Sequence, residues 1–257
     1  MIKKIAFLFL ALTLAICPLA QAISTTTCID TDTKLLWHFN EADASTDIVD
    51  SSTTANTETA NGNVQTDSGV TKFTNTSLFD GTGDYWTVPD SENWNFGTGD
   101  LTIDFWVRFS ADPSGTSQYL ISQSTDGTNF WLLWVNASDE LILKNRLASI
   151  DTIDVVKAWN PAGTTWYHVA ATRSGTSIKL YIDGTQIGTT TTSAVGFDDW
   201  TGTLQIGALA TATNFAGNLD ELRIIKGTEV APPVGGPSAQ YADSCNLASM
   251  GLLGVGK

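Results

Sequence analysis

The stretch "TWYHVAATRSGTSIKLYIDGTQIGTTT", residues 165–191, decides the fold. Tyr167, Val169 and Ala171 fall on one face of an extended chain; Trp166, His168, Ala170 and Thr172 fall on the other. After "RSGTS", Ile178, Leu180 and Ile182 share a face opposite Lys179, Tyr181 and Asp183. A period of two with one apolar side marks strands that bury a single face. Asp183-Gly184 then supplies a two-residue hairpin, because a type I′ turn needs positive φ at both central positions. Three strands joined by two tight turns are predicted here.

The same pattern recurs along the chain. "KLLWHF" (34–39) reads as the first strand, and 40–72 as a long Ser, Thr, Asn and Asp-rich loop with a weak strand. "SLFD" (77–80) and "DYWTV" (84–88) flank a Gly-Thr-Gly turn. In "DLTIDFWVRF" (100–109), Leu101, Ile103, Phe105, Val107 and Phe109 alternate with Thr102, Asp104, Trp106 and Arg108. Further strands are expected at 118–123, 129–135, 140–145, 203–207 and 217–227. No segment has helical period and length. Short strands broken by Gly, Asn and Asp turns predict an all-β chain, an antiparallel two-sheet sandwich of about a dozen strands.

The first 22 residues, "MIKKIAFLFLALTLAICPLAQA", have two lysines, an apolar run and an Ala-Gln-Ala ending, the pattern of a secretory signal peptide cleaved after Ala22. The run is too short to span a bilayer, which takes roughly 20 residues. Secretion or export to an extracellular or periplasmic compartment follows as the expectation. Losing Lys3 and Lys4 moves the net charge from −14 to −16. So acidic a chain excludes nucleic acid and anionic membranes as partners, since both are held through Lys and Arg. It leaves carboxylates for a hard cation such as calcium, or simply for solubility.

Removal of Cys17 leaves Cys28 and Cys245, which bracket nearly all the patterned sequence. In an exported chain they read as one disulfide, worth roughly 5 kcal/mol in the chain-entropy model for so long a loop; two free thiols are the alternative. Residues 23–33 form a polar lead-in, 34–228 the domain, and the Pro- and Gly-rich 229–257 an extended tail.

Three blocks, "SLFDGTGDYWTVPDSENWNFGTGDLTIDFWVRF", "TWYHVAATRSGTSIKLYIDGTQIG" and "LQIGALATATNFAGNLDELRIIKG", resemble laminin G-like jelly-roll domains of the concanavalin A-like lectin/glucanase superfamily. The resemblance implies two antiparallel sheets with the first and last strands adjacent, which fits the Cys28–Cys245 pairing. It also implies a calcium ion between the first strand, a following loop and the last strand, with Asn40, Asp50 and Asp220 at the matching positions. Asn40 stands where an acidic residue is usual. Turn-capping by Asn40 and Asp50 through their own backbone is the other reading.

The glucanases of this superfamily carry two glutamates around an aspartate on one strand, and no such motif occurs here. Asp139-Glu140 and Asp220-Glu221 are adjacent pairs, expected to point to opposite faces of a strand. Only His38 and His168 are present, with no Gly-x-Ser-x-Gly elbow, zinc spacing or P-loop. The chain therefore reads as no enzyme.

For ligand binding, Trp106 lies between Asp104 and Arg108 on the face opposite the apolar one, an arrangement suited to stacking on a sugar. Lys179 and Tyr181 would extend that surface, and Trp94, Trp131, Trp159 and Trp200 would line a rim. Packing of Trp106 under a loop, with an Asp104–Arg108 pair, is the competing reading. The function expected is an exported recognition module for carbohydrate or a cell-surface glycoconjugate. A structural or adhesive component of an envelope, filament or particle is the alternative, and a degenerate glycoside hydrolase or lyase the third.

Overall fold

Residues 31–210, 212 and 215–243 are described by a computed structural model. The expected leader 1–22 and both Cys28 and Cys245 lie outside the described residues.

The described chain forms fifteen strands: β1 (Thr33–Trp37), β2 (Thr59–Asn61), β3 (Gln65–Asp67), β4 (Thr76–Asp80), β5 (Tyr85–Val88), β6 (Leu101–Phe109), β7 (Gln118–Asp126), β8 (Asn129–Val135), β9 (Glu140–Leu147), β10 (Ile150–Ala158), β11 (Trp166–Ser174), β12 (Ser177–Ile182), β13 (Thr185–Thr192), β14 (Leu204–Ile206) and β15 (Ala216–Lys226). The first sheet has eight strands in the order β13-β12-β11-β6-β15-β4-β3, with β1 also paired to β15. The second has seven, β10-β9-β8-β7-β14-β5-β2. All pairs are antiparallel, including β1 with β15, so the first and last strands are neighbours.

The opening stretch becomes β11, β12 and β13. Asp183 and Gly184 have φ of 48° and 70°, as a type I′ turn requires. Strand β10 was not foreseen. Its apolar residues Ile150, Ile153, Val155 and Val156 fall out of phase because a register shift lies between Asp151 and Ile153. Its turn is made by Ala148 and Ser149 at φ 48° and 68°, without the Gly or Asn that signals such a turn.

The alternation of β6 does its expected work. Leu101, Ile103, Phe105, Val107 and Phe109 enter the core between the sheets, where Val169, Ala171, Ile178 and Leu180 join them. From the other sheet come Trp86, Trp131, Leu133, Val135, Leu141, Leu143 and Leu204. Burying a side chain of this size contributes roughly 1.5–3 kcal/mol. Trp94 and Trp131 are fully buried and Trp200 nearly so, so these indoles belong to the core rather than to a binding rim.

Candidate functional site

Two surfaces lie outside this core, one on each sheet. On the first sheet the outward residues of β6 meet those of β11 and β15. Register places Asp104 opposite Arg223, and Trp106 opposite both His168 and Asp220. Between those partners β15 advances three residues while β6 advances two, so β15 carries a bulge. Glu221 sits in it at φ 52°. The bulge breaks the alternation expected to send Asp220 and Glu221 to opposite faces. Leu219 and Leu222 enter the core, while both acidic side chains bond to elements on the outer side.

The chain after β15 runs across this face as a strap. The Val230 amide donates to Thr102 Oγ1 at 2.8 Å, and Glu229 accepts from Lys179 Nζ at 3.1 Å. The Gly235 amide donates to the Asp183 carbonyl at 2.8 Å, and the Pro233 carbonyl lies where a Cβ on Gly184 would stand, 1.8 Å from it. At the end, Tyr241 fills a buried slot. Its hydroxyl donates to Asp104 Oδ2 at 2.8 Å, its amide donates to Glu221 Oε2 at 2.7 Å, and the Arg223 guanidinium lies 3.8 Å over its ring. His38 then bridges Glu221 and Asp243, at 2.8 Å from each. Burial works against charge on His38, but the two carboxylates outweigh it and raise its pKa. A cavity of about 350 Å³ opens beside this bridge, lined by His38, Asn40, Glu41, Val49, Ser51 and Asp243.

The exposed Trp106 face expected from the sequence is therefore corrected. Asp104 is fully buried and Trp106 is 3 % exposed. Lys72 Nζ stands 3.5 Å over the indole and Phe73 packs against its edge. The partner of Asp104 is not Arg108 but Arg223, whose Nε and Nη2 donate at 3.0 and 2.6 Å. Arg108 lies four residues along β6, about 13 Å away, too far to pair. It is half-buried, in register with Trp166 and Asn218. Tyr181 is buried, and Lys179 is taken up by Glu229.

Asn40, Asp50 and Asp220 do not fit a calcium ion. Both Asp50 oxygens are occupied: Oδ1 accepts from the Leu36 and Ser52 amides, and Oδ2 from Ser52 Oγ and from the amide and Nδ2 of Asn56. Asp50 is thus the organiser of the 50–56 turn, the loop-capping reading. Asn40 Oδ1 accepts from Thr74 Oγ1 and from Gln240 Nε2. Asp220 is buried beside Glu221, desolvation first and then that neighbour push its pKa up to about 8, and its two oxygens accept from the Phe73 and Glu221 amides. Among the described residues no group of three or more His, Cys, Asp or Glu is arranged to hold a metal.

The outward face of the second sheet is partly exposed, with Phe130, Leu132 and Ile142 buried and Tyr119, Trp134 and Lys144 half-buried, and the sequence reading missed it. Trp131, Leu133 and Val135 of β8 enter the core, so Phe130, Leu132 and Trp134 point away from it. Half-buried Trp134 pairs across to half-buried Tyr119 on β7, and on its other side to Ile142. Lys144 follows one row on, opposite Leu132 and Asp154. Its Nζ lies 2.6 Å from Asp151, 3.4 Å from Asp154 and 5.5 Å over the Trp134 ring. Arg146 Nε lies 2.5 Å from Asp151, and that bond, more than Lys144, holds the Asp151 carboxyl below its usual range. The result is a pair of aromatic rings beside a partly exposed, charge-balanced polar row. "NFWLLWV" is apolar at six of seven positions, so alternation could not reveal which tryptophan faced outward.

Two sheets of this order packed face to face define a lectin-like jelly roll. The chain belongs to the concanavalin A-like lectin/glucanases superfamily: a laminin G-like family model matches residues 80–230. No curated protein matches it. Among solved structures it is similar to domain 4 of AbnA, a GH43 extracellular arabinanase from Geobacillus stearothermophilus, in complex with arabinotriose. That likeness has a TM-score of 0.61 at 17% identity, over 78% of this chain and 95% of that one. It is similar also to the binding domain of Paraclostridial Mosquitocidal Protein 1 (TM-score 0.60, 17% identity, 77% of this chain and 50% of that one). The binding domain of botulinum neurotoxin DC in complex with SialylT gives 0.60 at 17% identity, over 78% and 50%. The chain thus spans about half the length of the toxin domains it matches. At this identity the likeness is one of fold.

Proposed function

We propose that this protein is an exported, non-catalytic recognition module that binds carbohydrate or a cell-surface glycoconjugate through the outer face of the second sheet. The observation that carries the reading is the Trp134–Tyr119 pair beside Lys144, Asp151 and Asp154. Aromatic rings stack on the apolar faces of sugars, and flanking charged groups bond their hydroxyls. The arabinotriose and SialylT complexes of similar domains lend support to a glycan as the ligand class. Non-catalysis is argued from the acids. Glycoside hydrolysis needs two carboxyl groups flanking an open bond. Among the described residues the one adjacent acidic pair with a strongly raised partner, Asp220 and Glu221, is sealed from solvent, its oxygens taken by the Phe73, Glu221 and Tyr241 amides and by His38.

The test is a glycan array with the wild type and with Trp134→Ala, run with and without calcium. Binding that is calcium-independent and lost in Trp134→Ala, with the melting temperature little changed, supports the reading. Binding that survives Trp134→Ala and Tyr119→Ala together refutes this face.

A further inference from the structure

The strap leaves the surface beneath it incompletely satisfied. Trp106 Nε1 and His168 Nδ1 are buried and have no hydrogen-bond partner among the described residues. Both side chains are almost wholly enclosed, Trp106 at 3 % exposure and His168 at 0 %. Buried polar atoms in folded proteins are nearly always paired, so two idle ones on neighbouring rings call for a reason. The rings lie 5.3 Å apart, edge to face.

The hydrogen-bond network fixes what the two atoms offer. Tyr241 Oη donates to Asp104, so it accepts from His168 Nε2, 3.3 Å away. Burial keeps the imidazole neutral, its pKa lowered to about 4. A neutral ring that donates from Nε2 accepts at Nδ1. The two neighbouring rings therefore hold an unused donor, indole Nε1–H, and an unused acceptor, imidazole Nδ1. A hydroxyl group answers both.

Lys72 and Phe73 lie against the indole, and the strap lies over both rings. The strap crosses them with Gly236 at φ 72°, where a Cβ would stand 2.6 Å from His168 Cβ and 2.7 Å from Trp106 Cζ2. Pro232, Pro233 and Pro237 have no amide hydrogen to bond the sheet. The hold is at the two ends, Gly235 on Asp183 and Tyr241 on Asp104 and Glu221. Arg223 is already neutralised by Asp104.

We propose that the outer face of the first sheet is a second recognition site, for a neutral, hydroxyl-rich ligand such as a sugar, and that residues 232–243 are its intramolecular plug. The plug satisfies Asp104, Arg223 and Glu221 but leaves Trp106 Nε1 and His168 Nδ1 for the ligand. Ligand and plug compete, so apparent affinity scales with the fraction of chains whose strap is released. This site does not depend on the second-sheet reading.

The experiment is NMR of the full-length chain, following the Trp106 indole N–H signal, assigned by its loss in Trp106→Phe. Glucose, galactose and arabinose are titrated into the wild type and into Tyr241→Ala, which removes the anchor. A saturable shift with at least one sugar, at a concentration about tenfold or more lower in Tyr241→Ala, is expected. No shift with any of the three in a folded Tyr241→Ala overturns the site, and equal shifts in both proteins overturn the plug. If Tyr241→Ala does not fold, Tyr241→Phe, which keeps the ring and loses the hydroxyl's bonds to Asp104 and His168, must show the same trend in smaller measure, and its absence counts against the proposal in the same way.

Discussion

Replacing Asp104 by Ala tests the logic of the first sheet's outer face. Asp104 is fully buried and accepts three hydrogen bonds, from Arg223 Nε at 3.0 Å, Arg223 Nη2 at 2.6 Å and Tyr241 Oη at 2.8 Å. Its removal strands a guanidinium whose side chain is 6% exposed. Breaking a buried pair from one side costs about 3–5 kcal/mol, because the remaining charge keeps its desolvation penalty without its partner. For a domain of this size about 1 kcal/mol moves the melting temperature by about 2–4 °C, so a loss on the order of 10 °C is expected by calorimetry. The double variant Asp104→Leu with Arg223→Met removes both charges at once. Apolar replacement of a whole buried pair is neutral or stabilising by about 1–4 kcal/mol, against about 1–3 kcal/mol for the Tyr241 hydroxyl left without its acceptor. The double variant should therefore melt close to the wild type. A single variant that loses less than about 1 kcal/mol, or a double variant as damaged as the single, refutes the reasoning.

The neutral Asp220 gives a pH signature. Its folded pKa, about 8, lies above the unfolded carboxylate value, so the unfolded chain releases this proton first. Its burden on stability is absent below about pH 4, grows as pH rises, and levels off near pH 8. Asp220→Asn should therefore gain stability relative to the wild type at pH 8 and little at pH 4; equal shifts in chemical denaturation at both would contradict the assignment. Calcium or chelator should leave the wild-type melting curve unchanged, since Asp50 is saturated with hydrogen bonds and Asp220 is protonated; a calcium-dependent rise in melting temperature would restore the metal site. Thiol titration of the denatured, unreduced mature chain should find no free thiol, and two per chain would dismiss the Cys28–Cys245 bridge.

The fold was legible because β6, β11 and β12 each send one apolar face into the core between the sheets, and a period of two survives any tertiary context that keeps the sheet. The Asp183-Gly184 turn was legible for a similar local reason: few residues besides glycine tolerate that backbone at no cost. The site was harder. The alternation on β6 identified correctly which residues leave the core, but leaving the core is not the same as reaching solvent. What decides that is the strap, and "PPVGGPSAQY" carries no periodicity that would reveal where it lies. The bulge at Glu221 was equally silent, since one inserted residue in β15 leaves the composition untouched and changes only the direction of the side chains. Trp134 was hidden by its own neighbours, which are apolar on both faces of β8.

The pairing of β1 with β15 has a consequence for how the molecule comes into being. Trp37 meets Leu222, 185 positions further along the chain, and among the described residues β1 has no other strand partner in its sheet. Contacts this remote form late, because the loop they close carries the greatest entropic cost. As the chain is made, β1 can meet the nearby Asp50 and Ser51 early, but its strand partner appears only when nearly all the rest has been made. The seam between β1 and β15 thus closes only once β15 has been made.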